Sequence, residues 1–150
     1  MRIVLLEPEI PPNTGSVARL AAATQTPLDL IGPLGFSLED RYLKRAGLDY
    51  WPWVDLTVYE SWPQYLASRH TGRLLGLSAR ATRPYTQARF LDDDRLLFGK
   101  ETSGLGPDVI AMLGADVFTI PMTSPNVRSL NLANAVSIVV YEARRQIGLL

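Results

Sequence analysis

The residues of this chain that are best suited to do chemistry lie in residues 120–136, where a short apolar strand leads through a polar loop into a helix. The loop carries Arg128, Ser129 and Asn131, and Asn134 follows in the helix. Guanidinium, hydroxyl and amide groups at the start of a helix can donate hydrogen bonds to, and accept them from, a small polar ligand. The stretch therefore indicates a binding site.

The composition removes several kinds of catalytic site. The chain has no cysteine, and His70 is its one histidine. We therefore expect none of the sites that need these residues: disulfides, thiolate metal sites, zinc sites, cysteine nucleophiles and the Ser-His-Asp arrangement. We also expect no metal. Any catalysis must use hydroxyls, amides, carboxylates and arginines.

The charges of the chain are balanced, with 15 Lys and Arg residues against 15 Asp and Glu residues. This balance argues against an extended polybasic surface for nucleic acid, although it allows a local patch. All the basic residues except Lys44 and Lys100 are arginines, a bias that suits bidentate phosphate contacts and stacking on bases. Arginine-rich codon usage would explain the same bias.

The length of 150 residues suits a single globular domain over residues 1–150. The chain has no apolar run long enough to cross a membrane, and its first residues lack the features of a signal peptide. We therefore expect a cytoplasmic protein with no membrane partner.

Apolar periodicity predicts strands that alternate with helices along the chain. Strands are predicted at residues 2–7, 28–31, 54–59, 73–78, 95–99 and 117–122. Helices are predicted from a cap at Asn13 or Thr14 onward, and at residues 37–45, 61–68, 107–114 and 131–147. This alternation is typical of an α/β fold with a mostly parallel sheet and helices on both faces.

In such a sheet, ligands collect at the carboxyl ends of the strands. Three predicted strands end in polar or glycine-rich loops: Leu77-Ser78, residues 99–104 and residues 120–129. Gly99 and Gly104 allow backbone amides to approach a ligand closely, and Glu101 can accept a hydrogen bond or organise its loop. An ordinary strand-to-helix turn at residues 99–104 is the alternative interpretation.

Arg19 lies off the apolar stripe of the first predicted helix. It follows Asn13, so the Asn13 amide, the start of the helix and the Arg19 guanidinium could face one anionic group.

Three other features give weaker signals. The acidic run at residues 92–94 could hold a cation, but a solvated loop is the expected interpretation, and the side chain of His70 is likewise expected on the surface. Tyr50, Trp51 and Trp53 could stack on bases, pack within the protein or form a subunit contact.

Three motifs occur in order along the chain, each named here by its fixed residues. They are Asn13-x-Gly15-x-x-x-Arg19, then Phe98-Gly99-x-Glu101-x-x-Gly104-Leu105, then Ile120-Pro121-Met122 leading to Ser129-Leu130-Asn131-Leu132-x-Asn134. Together they resemble the motifs of the SPOUT superfamily of S-adenosylmethionine-dependent RNA 2'-O-ribose methyltransferases. Residues 6–15 and 47–50 further resemble the family of small bacterial tRNA methyltransferases that modify the cytidine or uridine at the anticodon wobble position.

The resemblance implies features of the fold that periodicity alone does not predict. One is a C-terminal segment threaded into a deep trefoil knot, a rare topology in proteins generally. Another is a homodimer with the active site at the subunit interface. The implied substrate is tRNA, with leucine isoacceptors expected, and the alternatives are another tRNA or rRNA site and a non-catalytic S-adenosylmethionine-binding module.

The resemblance also implies roles for individual residues. S-adenosyl-L-methionine would be held, largely through backbone groups, by Leu77, Gly99, Glu101, Gly104, Ile120, Met122, Ser129 and Leu130. Arg19 would clamp a phosphate and polarise the ribose hydroxyl, since a guanidinium is a poor base. Asn13 would hold its loop, while Ser129 and Asn131 would orient the ribose or the cofactor.

The chain departs from close relatives of this kind at Lys100, Ser103 and Trp51, where proline, arginine and histidine respectively are common. Ser103 removes one expected phosphate contact. A tRNA surface assembled across the dimer is expected to use basic residues from several elements, namely Arg41, Lys44, Arg45, Arg80, Arg83, Arg128 and Arg144.

Overall fold

Six strands form one sheet in which every strand pair is parallel, so the predicted parallel α/β architecture is confirmed. The computed structural model describes the backbone of residues 1–150 and every side chain except that of Leu48. The strands are β1 (Arg2–Leu6), β2 (Leu28–Ile31), β3 (Leu56–Tyr59), β4 (Leu74–Leu77), β5 (Arg95–Phe98) and β6 (Val117–Phe118). Their order across the sheet is β3-β2-β1-β5-β4-β6.

Five α-helices connect or follow the strands. They are α1 (Pro11–Thr24), α2 (Arg41–Gly47), α3 (Trp62–Ala67), α4 (Pro107–Leu113) and α5 (Leu132–Gln146). A 3-10 turn (Leu48–Trp53) continues directly from α2. Among the helices that the structure describes, none has the length and hydrophobicity needed to cross a membrane.

Side chains of β1 alternate between the two faces of the sheet, as expected of a strand that is buried on both sides. Ile3 and Leu5 join a cluster that includes residues of α1 and α5, whereas Val4 and Leu6 join a cluster that includes Tyr65 of α3. Helices therefore cover both faces, and the carboxyl ends of the strands are left to the loops.

The first helix begins earlier than the sequence predicts. It starts at Pro11, and Ile10 precedes it without a capping side chain. Pro11 and Pro12 have the backbone angle of a first helical turn. Proline lacks an amide N–H, but an N–H group in the first turn would have no partner within the helix in any case. Asn13 is therefore a buried residue within the first turn rather than the cap, and its side chain is available for contacts with other loops.

Two other predicted elements are shorter in the structure by four residues at one end. The helix predicted from Ser37 begins at Arg41, because the Asp40 carboxylate accepts hydrogen bonds from the amides of Tyr42 (2.8 Å) and Leu43 (3.2 Å). The last strand ends at Phe118, after which Thr119 pairs with the chain near Pro84. The polar segment that follows is therefore a loop.

The expectation that the whole acidic run is solvated is wrong for Asp94. Its side chain is fully buried and accepts hydrogen bonds from Arg73 Nε (2.9 Å), Arg73 Nη2 (2.7 Å) and the amide of Leu91 (2.8 Å). Asp92 and Asp93 are exposed as expected. A buried carboxylate is tolerated here because a guanidinium and a backbone amide replace its water.

His70 is also not the simple surface residue that the sequence predicts. Its ring lies 4.2 Å from the ring of buried Tyr65 and 5.8 Å from that of Tyr59, measured between centroids. Its Nε2 atom is 3.2 Å from the carbonyl oxygen of Tyr65. Burial, and then the nearby Arg95 guanidinium, lower the pKa of His70.

We predict that His70 titrates below the ordinary histidine pKa of 6.5. Because the native state then binds fewer protons than the unfolded state, the free energy of unfolding should decrease as the pH falls below about 6.5. The chain has one histidine, so the NMR chemical shift of its carbon-bound imidazole protons, followed against pH, gives the titration midpoint directly. A midpoint at or above 6.5 would contradict the proposed burial of the ring.

Candidate functional site

A cavity of about 780 Å³ lies at the carboxyl ends of β4, β5 and β6, a volume typical of small-molecule sites. Its walls are the three loops that the sequence analysis selected. All eight predicted cofactor-binding residues line it: Leu77, Gly99, Glu101, Gly104, Ile120, Met122, Ser129 and Leu130. Asn13 and Asn131 line it too, so ten of the predicted site residues are brought together from distant parts of the chain.

The lining of the cavity combines apolar and polar groups. Leu77, Ile120 and Met122 provide apolar side chains, and Ser129 provides a hydroxyl. Arg128 adds a positive charge. Such a lining can cover a flat heterocycle and still offer hydrogen bonds to polar groups attached to it.

Gly99 permits the loop after β5 to fold back on itself. A Cβ atom at this position would lie 2.1 Å from the carbonyl carbon of Gly104 and 2.3 Å from the amide nitrogen of Leu105. Gly104, at φ +65°, donates its amide to the carbonyl of Lys100 at 2.8 Å and closes the turn. The clearance at Gly99 is therefore required by the protein's own backbone, which forms one wall of the cavity.

The Glu101 carboxylate joins this loop to the start of α1. It accepts hydrogen bonds from the amide of Glu9 (2.7 Å), the amide of Ile10 (3.1 Å) and Asn13 Nδ2 (3.2 Å). Hydrogen bonds to an ionised group are among the stronger ones in proteins. Glu101 therefore organises the loop, one of the two possibilities that its sequence context left open.

Asn13 also forms a hydrogen bond with Asn131, the residue before the last helix. Its Oδ1 atom accepts a hydrogen bond from Asn131 Nδ2 at 2.8 Å. Asn131 Oδ1 in turn accepts the amides of Ala133 (2.9 Å) and Asn134 (3.3 Å), which makes Asn131 the cap of α5. The two asparagines thus bind to each other and hold the third cavity loop in place.

Two contacts that the sequence analysis missed support the same loop. The Glu9 carboxylate accepts hydrogen bonds from the amide (3.1 Å) and the hydroxyl (2.9 Å) of Thr102. Lys100 pairs with Glu7 at 2.8 Å, and this hydrogen bond raises the pKa of the lysine. The acidic residues on either side of Pro8, at the end of a predicted strand, were the available signal.

Arg19 is not among the residues that line the cavity of its own protomer. It is exposed, and its guanidinium lies 5.3 Å from the ring centroid of Tyr50. Asn13 and Arg19 are six residues apart on α1, so their side chains point about 120° apart around the helix. The expectation that both face one anionic group within a single chain is therefore not met.

The basic residues expected to form an RNA surface divide into three groups. Arg80 and Arg128 line the cavity. Arg83 and Arg144 instead have internal partners, since Arg83 donates to the carbonyl of Ala115 (2.6 Å) and Arg144 to that of Thr24 (2.8 Å). The remaining three, Arg41, Lys44 and Arg45, are exposed on α2.

A parallel sheet whose last three loops enclose a cavity with a mixed apolar and polar lining defines an α/β protein that binds a small polar ligand at its strand ends. Within the described residues, no group of three or more His, Cys, Asp or Glu side chains is placed to hold a metal ion. The chain belongs to the SpoU rRNA Methylase family, whose sequence model matches residues 1–141. The resemblance to the SPOUT superfamily is thereby confirmed, and family membership implies the knotted C-terminal segment.

Individual relatives cover nearly the whole chain. The tRNA (cytidine(34)-2'-O)-methyltransferase of Saccharophagus degradans is 46% identical over 147 residues, which span 97% of this chain and 95% of the relative. A solved structure described as "Structural insights into the 2-OH methylation of C/U34 on tRNA" is 51% identical with a TM-score of 0.91, over 97% of this chain and 94% of that one.

A more distant structure contains a cofactor. The SpoU methyltransferase AviRb of Streptomyces viridochromogenes, in complex with AdoMet, is 25% identical with a TM-score of 0.85. The match covers 97% of this chain and 60% of AviRb.

We predict that Gly99→Ala destabilises the protein by about 1–3 kcal/mol and weakens cofactor binding, because the added methyl group displaces the backbone at Gly104. Thermal unfolding and calorimetry with S-adenosylmethionine measure the two effects. Gly106→Ala is the matched control, since a Cβ atom there would have no heavy atom within 4 Å. Equal behaviour of the two variants would contradict the role assigned to Gly99.

Proposed function

We propose that this protein transfers the methyl group of S-adenosylmethionine to the ribose 2'-oxygen of the cytidine or uridine at position 34 of tRNA. The observation that carries the proposal is the cavity in which all three sequence motifs contribute lining residues. The relative from S. degradans, which is named for this reaction at cytidine 34, supports the assignment of the substrate. Leucine isoacceptors are the narrower substrate that we propose.

The residues of the cavity fit the cofactor. Leu77, Ile120 and Met122 can cover the adenine ring, while Ser129 and the backbone groups of the glycine-rich loop can bind its polar edges. Bound there, S-adenosylmethionine supplies an electrophilic methyl group on a positively charged sulfur.

The task of the protein is then to align the ribose and to help the hydroxyl lose its proton. In the reaction, a bond forms between the 2'-oxygen and the methyl carbon, the bond from that carbon to sulfur breaks, and the hydroxyl proton passes to water. Orientation alone can lower such a barrier by up to roughly 7–11 kcal/mol. We assign Arg19 to the adjacent phosphate and the hydroxyl, with Ser129 orienting the ribose or the cofactor.

The position of Arg19 supports a site completed by a second copy of the chain. Its guanidinium is exposed and does not line the cavity of its own protomer. The outer face of α5 also presents Ile138 (37% exposed) and Tyr141 (47% exposed), which lie one helical turn apart. We therefore infer a homodimer in which Arg19 of one protomer reaches the cavity of the other.

We predict that the purified protein methylates tRNA at the 2'-oxygen of nucleotide 34 and that Arg19→Ala abolishes turnover. Nucleoside mass spectrometry after incubation with labelled S-adenosylmethionine and bulk tRNA identifies the modified position. Cofactor affinity, measured by calorimetry, should be nearly unchanged in the variant because Arg19 acts on RNA. Methylation at a different nucleotide, or full activity of Arg19→Ala, would refute the respective assignment.

Mixed dimers test whether Arg19 acts across the interface. We predict that Arg19→Ala and Ser129→Trp chains, each inactive alone, recover about a quarter of wild-type activity when they are unfolded and refolded together in equal amounts. Half of randomly paired dimers are mixed, and each mixed dimer has one complete site. If Arg19 served its own protomer, no combination of the two chains would be active.

A further inference from the structure

Exposed aromatic side chains are concentrated in the segment formed by α2 and the 3-10 turn after it. Tyr42 is 48% exposed, Tyr50 is 41% exposed and Trp53 is 76% exposed. Among the described side chains, Trp53 is the most exposed large hydrophobic residue of the protein. An indole and two phenol rings on one short surface segment suggest that a partner covers them.

An arginine guanidinium lies close to two of these rings. Arg19 lies 5.3 Å from the ring centroid of Tyr50, and Arg41 lies 4.7 Å from that of Tyr42 and donates to its hydroxyl at 2.8 Å. Pairs of this kind offer a planar surface for a base together with a positive charge for a phosphate. Between residues 41 and 53 the chain has three basic residues and one acidic residue, Asp49. Lys44 is paired with Glu39 at 2.6 Å, so the arginines provide the positive charge of the segment.

The segment is held firmly against the core. Gly15 of α1 is so close to α2 that a Cβ atom there would lie 2.5 Å from the carbonyl oxygen of Leu43. Trp51, unlike Trp53, packs against the core and donates its indole N–H to the carbonyl of Lys44 at 3.3 Å. Two residues further along the turn, Trp53 therefore projects from a fixed support.

We propose that Tyr50 and Trp53 form a stacking platform for unpaired bases of the anticodon loop next to the nucleotide that is methylated. The proposal rests on the proposed function and specifies how its RNA substrate is bound. Single-stranded RNA is the occupant that fits, because it presents flat bases and phosphates together. The platform is also continuous with the reaction centre, since Arg19, assigned to the target nucleotide, contacts Tyr50.

The test is the Michaelis constant for tRNA in Trp53→Ala and Tyr50→Ala. We expect each variant to raise it about tenfold, because stacking on one aromatic ring contributes that order of affinity. Trp53→Phe should restore most of the loss, and cofactor affinity should not change. Leu66→Ala, at a residue that is 46% exposed on α3, is the control that should leave the constant unchanged.

Two results would overturn the platform. One is an unchanged Michaelis constant for tRNA in both alanine variants. The other is dissociation of the alanine variants into monomers, measured by light scattering, while the RNA affinity of the remaining dimer equals that of the wild type. That result would make this surface a subunit contact. Binding of an unmodified anticodon stem–loop, measured by fluorescence anisotropy, tests the platform separately from catalysis. If the wild-type protein does not methylate nucleotide 34, the proposed function is wrong. Weaker binding of the stem–loop by Trp53→Ala would still support the platform in that case.

Discussion

The geometry of the cavity depends on one chain of polar contacts, which runs from the Glu101 carboxylate through the buried Asn13 amide to the Asn131 amide. These three side chains come from the loop after β5, the first turn of α1 and the cap of α5. Each donor has an acceptor, so the contacts stabilise the site where an unpaired buried amide would destabilise it. The loops that surround a ligand are thereby fixed relative to one another before the ligand arrives.

This arrangement also explains why glycine and proline lie where they do. Gly99 lets the loop after β5 return close enough for Glu101 to accept a hydrogen bond from Asn13 of α1. Pro11 and Pro12 start α1 early, which places Asn13 in the first turn with its side chain directed to the neighbouring loops. Backbone constraints and side-chain chemistry therefore serve the same local structure.

Much of this structure could be predicted from the sequence. Apolar periodicity identified the strands and the sheet type, and the residues at strand ends identified the cavity walls, because both signals are local. The burial of Asp94 could not be found in this way, since its partner Arg73 belongs to a different strand region. The same holds for His70, whose surroundings are set by the packing of Tyr59 and Tyr65, and for Arg19, whose guanidinium lies beside Tyr50 rather than in the cavity.

The contact between Asn13 and Asn131 joins residues that are 118 positions apart. During synthesis on the ribosome, β1 to β5 emerge long before α5, so the early part of the sheet can form while one wall of the cavity is still missing. The complete cavity therefore exists only in molecules whose translation has passed the last helix.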